Sequence, residues 1–157
     1  MNISTTKLEK GGQLDQWFHL PKSVSVDEKM YEHLQSLNPK KERETFKMMG
    51  KVCTSHRDQL LLGVPYKYTG APKTSGPIKD PFLKNILEFA NNAIVKHYKL
   101  KHKFNQMLIN FYENGEDYIG PHSDSEVDMN DDMPILSFNY HEVPDVCRVF
   151  RVQSKEK

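Results

Sequence analysis

The chain has 157 residues, 37% of them hydrophobic and 27% charged, which is length enough for one domain with a real core and excludes intrinsic disorder. With 22 basic and 21 acidic residues the formal net charge is +1, so bulk charge neither demands nor forbids a polyanionic partner; a local patch can hold phosphate at zero net charge. No apolar run is long enough to span a bilayer, and the first thirteen residues lack the apolar stretch of a secretion signal. Cys53 and Cys147 form no CxxC unit, so an intracellular protein, nuclear or cytoplasmic, with reduced thiols and no membrane partner is expected, with a single disulfide as the alternative.

Residues 1–13 form a polar N-terminal segment expected to fray, and 14–157 the domain proper. Ser25-Val26-Asp27-Glu28 reads as a capping box, followed by Met30, Leu34 and Leu37 at helical spacing, with a stop at Asn38-Pro39. Lys40 to Arg57 is charged and gives no clear period. Leu60 to Tyr68 reads as extended chain interrupted by Gly63 and Pro65, and Gly70 to Pro77 as a loop. Asp80-Pro81 opens the clearest helix, an Asp cap with Pro at the first helical position; Phe82, Ile86, Phe89, Ala90, Ala93 and Ile94 line one side of it. Gln106 to Tyr112 and Pro134 to Tyr140 read as buried strands, Asp128 to Asp132 as an acidic turn, and Val146 to Val152 alternates like a half-buried strand. Helices first and strands after point to an α+β class with an antiparallel sheet.

The strand ending at Tyr112 runs through a Gly115-containing turn to His122-Ser123-Asp124. Two residues is the side-chain period of an extended chain, so an imidazole and a carboxylate face the same way there. Together they make two thirds of the facial triad that holds non-haem Fe(II). A His-x-Asp this short also arises by chance in polar loops; on the other side stands its position, directly after a strand that would hold it rigidly. Asn110 and Tyr112 share a face and can both donate to a carboxylate, or can be a strand-end polar residue and a core aromatic. Glu126 could orient a ligand or accept from a base, or belong to a solvated acidic loop. Tyr66 and Tyr68 could stack on a nucleobase or cap the core, with Arg57, Lys67 and Lys73 as a thin basic flank. His141 is the only histidine after Asp124, in what reads as an exposed hairpin loop.

Asn110-x-Tyr112, Ile119-Gly120-x-His122-x-Asp124-x-Glu126, Pro134-Ile135-x-Ser137-x-Asn139 and Arg148-x-Phe150-x-x-Val152 together resemble the AlkB-type Fe(II)/2-oxoglutarate dioxygenases, most closely the branch that repairs alkylated DNA. Tyr66-x-Tyr68-x-Gly70, the Pro81-Phe82 helix start, Phe104 and His56-Arg57-x-Gln59 are similar as well, so the resemblance covers Thr54 to Val152. It implies a double-stranded β-helix, or jelly roll, with N-terminal helices packed outside. It implies Fe(II) on His122 and Asp124, with 2-oxoglutarate as co-substrate bonded by Asn110 and Tyr112. Tyr66, Tyr68 and Glu126 would surround an extruded base, Arg57 would lie near the gap it leaves, and Arg148 would border the pocket. The implied reaction is oxidative dealkylation of N-alkylated nucleobases in DNA or RNA, with release of an aldehyde.

The chain departs from that pattern in three places. The family carries a second iron-binding histidine and 2-oxoglutarate-binding arginines further downstream, so the domain over 14–157 is expected to be partial, completed by further sequence or a second polypeptide, or with His141 or water as third ligand. Tyr140 to Val146 replaces a short Gly turn, and Ser125 stands where the DNA-repair branch often has an acidic residue. The alternatives are a catalytically inactive nucleic-acid-binding remnant, and a related dioxygenase acting on a protein or a small molecule.

Overall fold

The computed structural model describes residues 2–8, 12–39, 43, 45–65, 67–68, 71–72, 76–122, 132–142 and 148–152. The chain runs β1 (Asn2–Lys7), β2 (Gln13–Phe18), a 3-10 turn (Lys22–Val24), α1 (Glu28–Ser36), β3 (Thr45–Met48), β4 (Lys51–Thr54), β5 (Asp58–Gly63), β6 (Lys67–Tyr68), β7 (Ala71–Pro72), α2 (Pro81–Ala93), a π-helical turn (Ile94–Tyr98) and β8 (Gln106–Phe111). The class is α+β. Four antiparallel strand pairs, β1–β2, β3–β4, β5–β8 and β6–β7, stay separate among the described residues. Strands therefore interleave with the helices rather than following them.

The core forms where both helices meet one face of β5–β8. Val24, Leu34, Phe82, Leu83 and Ile86 are buried together, with Leu62, Met107 and Ile109 of the strand pair packed against them. Alternation then assigns the faces. Met107, Ile109 and Leu62 point to the helices, so Leu108, Asn110, Gln59 and Leu61 point the other way, with Gln59 directly opposite Asn110 in the register.

Helix α2 starts as its sequence dictates. The Asp80 carboxylate accepts from the Leu83 N–H at 2.9 Å, and Pro81 follows. His33 of α1 reaches the other carboxylate oxygen at 2.7 Å, tying the two helices together. Burial works against the Asp80 charge, yet the Leu83 N–H and His33 hold its carboxyl below the ordinary range.

Several expectations are corrected. Residues 2–7 of the polar N-terminal segment are not frayed: β1 pairs with β2 over six residues, and Trp17 of β2 packs on Phe89, His97 and Tyr98. Ser25 is not the cap of α1. Asp27 is, accepting from Met30 N–H at 2.9 Å, while the Ser25 hydroxyl is spent on the Leu20 and Pro21 carbonyls. Lys40 to Arg57, without period in the sequence, contains the β3–β4 hairpin. Residues 134–140 form no ladder among the described residues. Their aromatics turn to the helices instead, Phe138 against Phe89 and Tyr140 donating from its hydroxyl to the Val24 carbonyl at 3.0 Å, where burial pushes the phenol up to about 12. Residues 148–152 are likewise unpaired and exposed among the described residues. The acidic turn at Asp128 falls mostly outside the described residues.

Gly63 ends β5 at φ +96°, and a Cβ there would collide with the Asn105 carbonyl. Gly63→Ala is expected to cost about 3 kcal/mol from positive φ and overpacking together. Asp80→Ala removes a helix cap and is expected to cost about 1 kcal/mol. Urea unfolding of the two variants checks both the sizes and their order.

Candidate active site

The face of β5–β8 turned away from the helices carries the polar groups. Asn110 Oδ1 accepts from Arg57 Nε at 2.8 Å and from Gln59 Nε2 at 3.0 Å. An arginine Nε can only donate, so the amide orientation is fixed: the carbonyl faces Arg57 and the NH2 group faces outward. That NH2 group makes no hydrogen bond among the described residues, and neither does the Tyr112 hydroxyl. The pair therefore presents two donors on one face, roughly 7 Å apart along an extended chain. Arg57 is buried and Arg148 lies over the Tyr112 ring at 4.3 Å from its centroid, so positive charge stands on both sides of these donors. Such a face is made for an anionic acceptor, and a carboxylate fits it.

The segment after Tyr112 is held by Asp117, which is 3% exposed. Arg43 grips its carboxylate with two bonds, Nη1 to Oδ1 at 2.6 Å and Nη2 to Oδ2 at 3.0 Å, and Glu113 N–H adds a third at 2.7 Å. Arg43 Nε also meets Asp58 at 3.3 Å, so one guanidinium clamps the turn to the start of β5. Arg148 closes the same turn from the other side, donating to the Asp117 and Asn114 carbonyls. The His56 ring stacks on Tyr118 at 4.5 Å, and the Tyr118 N–H donates to the His56 carbonyl. Asn114 bends the turn, its side-chain oxygen accepting from Glu116 N–H at 2.8 Å. Gly115 does not: it has no positive φ, and a Cβ there would meet open space.

This anchored turn leads to His122. Its Nδ1 lies 2.8 Å from the Gly120 carbonyl. A carbonyl only accepts, so Nδ1 carries the proton and the lone pair is on Nε2, the tautomer in which histidines bind metals with the backbone as outer support. The residue present therefore fits an iron ligand. Among the described residues no group of three His, Cys, Asp or Glu converges on one point. Asp124, Glu126 and Tyr66 lie outside the described residues, and of Tyr68 only the backbone, in β6, is described. His141 is exposed, Cys53 is a half-buried free thiol, and Cys147 lies outside the described residues.

A family model described as the 2OG-Fe(II) oxygenase superfamily matches residues 13–140. The chain belongs to this superfamily. The match takes in Asn110, Tyr112, His122 and Asp124, and membership implies Fe(II) and 2-oxoglutarate at the level of the family. No curated protein sequence matches the chain. No helix among the described residues is long and apolar enough to cross a membrane.

The structure thus joins Arg57, Asn110, Tyr112 and Arg148 at one place. It adds Gln59, Arg43, Asp117 and Tyr118, to which no role was given in the sequence. Asn114 two residues before a backbone N–H it can cap was the one local signal for the turn.

Asp117 also sets a pH dependence. The Arg43 guanidinium, against burial, holds its carboxyl below the usual carboxylate range. A depressed folded-state pKa adds stability that is complete above the unfolded value near 3.8 and is lost as pH falls through the folded value. Asp117→Ala is expected to cost about 1–3 kcal/mol at neutral pH, the range for losing hydrogen bonds to a charged group whose partner Arg43 stays paired with Asp58. Thermal melts of the variant and the parent should converge as the pH falls below 4.

Proposed function

We propose that this oxygenase is of the AlkB type and removes alkyl groups oxidatively from the nitrogens of nucleobases in DNA or RNA. The observation that carries the co-substrate part is the Asn110 amide, locked by Arg57 and Gln59 so that its NH2 group is presented beside the Tyr112 hydroxyl. The nucleobase part rests on the resemblance of Tyr66-x-Tyr68 and Glu126 to residues that surround the base in that branch. A jelly roll is the scaffold that the same resemblance implies.

In this reading His122 and Asp124 hold Fe(II). Bound iron would supply the oxidising chemistry with dioxygen as the oxidant, one oxygen atom going into 2-oxoglutarate, which leaves as succinate and carbon dioxide, and the other into the alkyl group. Asn110 and Tyr112 donate to the 2-oxoglutarate carboxylates, and Arg57 fixes Asn110 so that its donor needs no reorganisation on binding. Arg148 stacks on Tyr112 and keeps the ring, and so the hydroxyl, in place. Gly120 keeps His122 in the ligating tautomer. Tyr66 and Tyr68 stack on the extruded base and Glu126 accepts from its edge, orienting the alkyl group and excluding water. The oxidised alkyl carbon then departs as an aldehyde.

Anaerobic titration with Fe(II) and 2-oxoglutarate should give the metal-to-ligand charge-transfer absorption of the ternary complex, and His122→Ala or Asp124→Ala should abolish it. Asn110→Ala is expected to weaken 2-oxoglutarate by roughly 10–100-fold, the worth of a hydrogen bond to a charged group. Aldehyde release from methylated but not plain oligonucleotides should follow. A folded protein that shows no such band would overturn the iron assignment, and a band without aldehyde from any methylated oligonucleotide would move the substrate to a protein or a small molecule.

A further inference from the structure

Between α2 and β8 lies a cationic loop that the site does not use. Lys96, Lys99, Lys101 and Lys103 fall within eight residues that hold no acidic residue, and all four are exposed. Lys84 joins them from α2 across an open groove of about 590 Å³, which Lys96, Lys103, Leu87 and Val95 also line. None of these five lysines makes an ion pair among the described residues. Glu88 is the one carboxylate in the groove.

The loop is built rather than loose. The π-helical turn ends with Lys99 in the left-handed region at φ 58°, its N–H donating to the Ile94 carbonyl. Tyr98 stacks on Trp17 and donates from its hydroxyl to Asp15, which fixes the start of the loop to the β1–β2 hairpin. Asn91 fixes the end: its side chain donates to the Phe104 carbonyl at 3.2 Å and accepts from the Phe104 N–H at 2.7 Å. A fixed backbone leaves only the lysine side chains to be ordered when an anion arrives.

We infer that this lysine loop and the α2 groove bind the sugar-phosphate backbone of a single-stranded nucleic acid, independently of base sequence. The lysines are spread along an open surface rather than converging on a point, which suits an extended polyanion. Tyr98, the aromatic within the loop, is already committed to Trp17 and Asp15, so the contact is to phosphate and not to bases. A membrane is disfavoured because the apolar side of α2 is buried in the core and gives the surface nothing to insert. The loop also feeds directly into β8, whose six residues reach Asn110 and Tyr112 roughly 20 Å further on. The choice of polyanion rests on the nucleobase reading above, but the binding does not need iron.

The test is fluorescence anisotropy of a labelled single strand of about 20 nucleotides, unmodified, with the full chain and without iron or 2-oxoglutarate, across a salt series. The triple variant Lys96→Gln, Lys101→Gln, Lys103→Gln should lose at least tenfold in affinity and lower the slope of log K against log salt by about 2, at roughly 0.7 per phosphate contact. Glu88→Gln should bind more tightly than the parent. The equally charged control Lys22→Gln, Lys29→Gln, Lys47→Gln should keep the parent slope, with circular dichroism confirming all folds. Equal loss in both triple variants would mean net charge alone, and no loss in the loop variant would mean the strand binds elsewhere; either overturns the inference. So would loop-dependent binding to phosphatidylserine vesicles without binding to the oligonucleotide. The charge-transfer titration of the loop variant separates the two readings: an intact band with lost strand binding leaves the active-site assignment standing, and strand binding without a band leaves this one.

Discussion

The Arg43–Asp117 pair is the constraint on which the site depends. A carboxylate taken almost wholly out of water is costly unless both its oxygens find donors. Asp117 finds three, two from one guanidinium and one from the Glu113 backbone. Because the same guanidinium also meets Asp58, the turn after β8 cannot move independently of the strand beside it. The path from Tyr112 to His122 is thereby fixed at its midpoint, and Tyr118, stacked on His56, fixes it again before the histidine.

The second constraint is the division of one strand pair into two faces. Met107 and Ile109 are consumed by the helical core, which leaves no freedom for the register of β8. Asn110 must then point away from the core, opposite Gln59, within reach of Arg57. The orientation of a single amide follows from burial of its apolar neighbours, and that amide is the donor we propose for the co-substrate.

What was legible in the sequence was local. The Asp80-Pro81 start of α2 and the break at Gly63 each rest on one residue's conformational rule, the strand from Gln106 on a short apolar run, and all three hold. The i, i+2 relation of Asn110 and Tyr112 was readable for the same reason. The hairpin at β1–β2 was not, because its stability comes from Trp17 packing on residues more than seventy positions away. Nor was Asp117: in the sequence it is one more acidic residue in a polar turn, and only Arg43, brought from a segment without period, makes it structural. The capping box was misread for a related reason. Ser25 and Asp27 are both good caps, and the choice between them is made by the carbonyls of Leu20 and Pro21, which claim the serine hydroxyl.

Strand β8 joins these levels. Its N-terminal end receives a lysine loop pinned by Asn91 at Phe104, its middle is held by the core, and its C-terminal end carries the donors and the turn to His122. Positive charge at one end and oriented donors at the other are joined by six residues of half-buried ladder. The substrate proposed above, one small group on a long polyanion, would set this need: weak, sequence-independent contacts to carry the polymer, and a rigid short element that converts that capture into position.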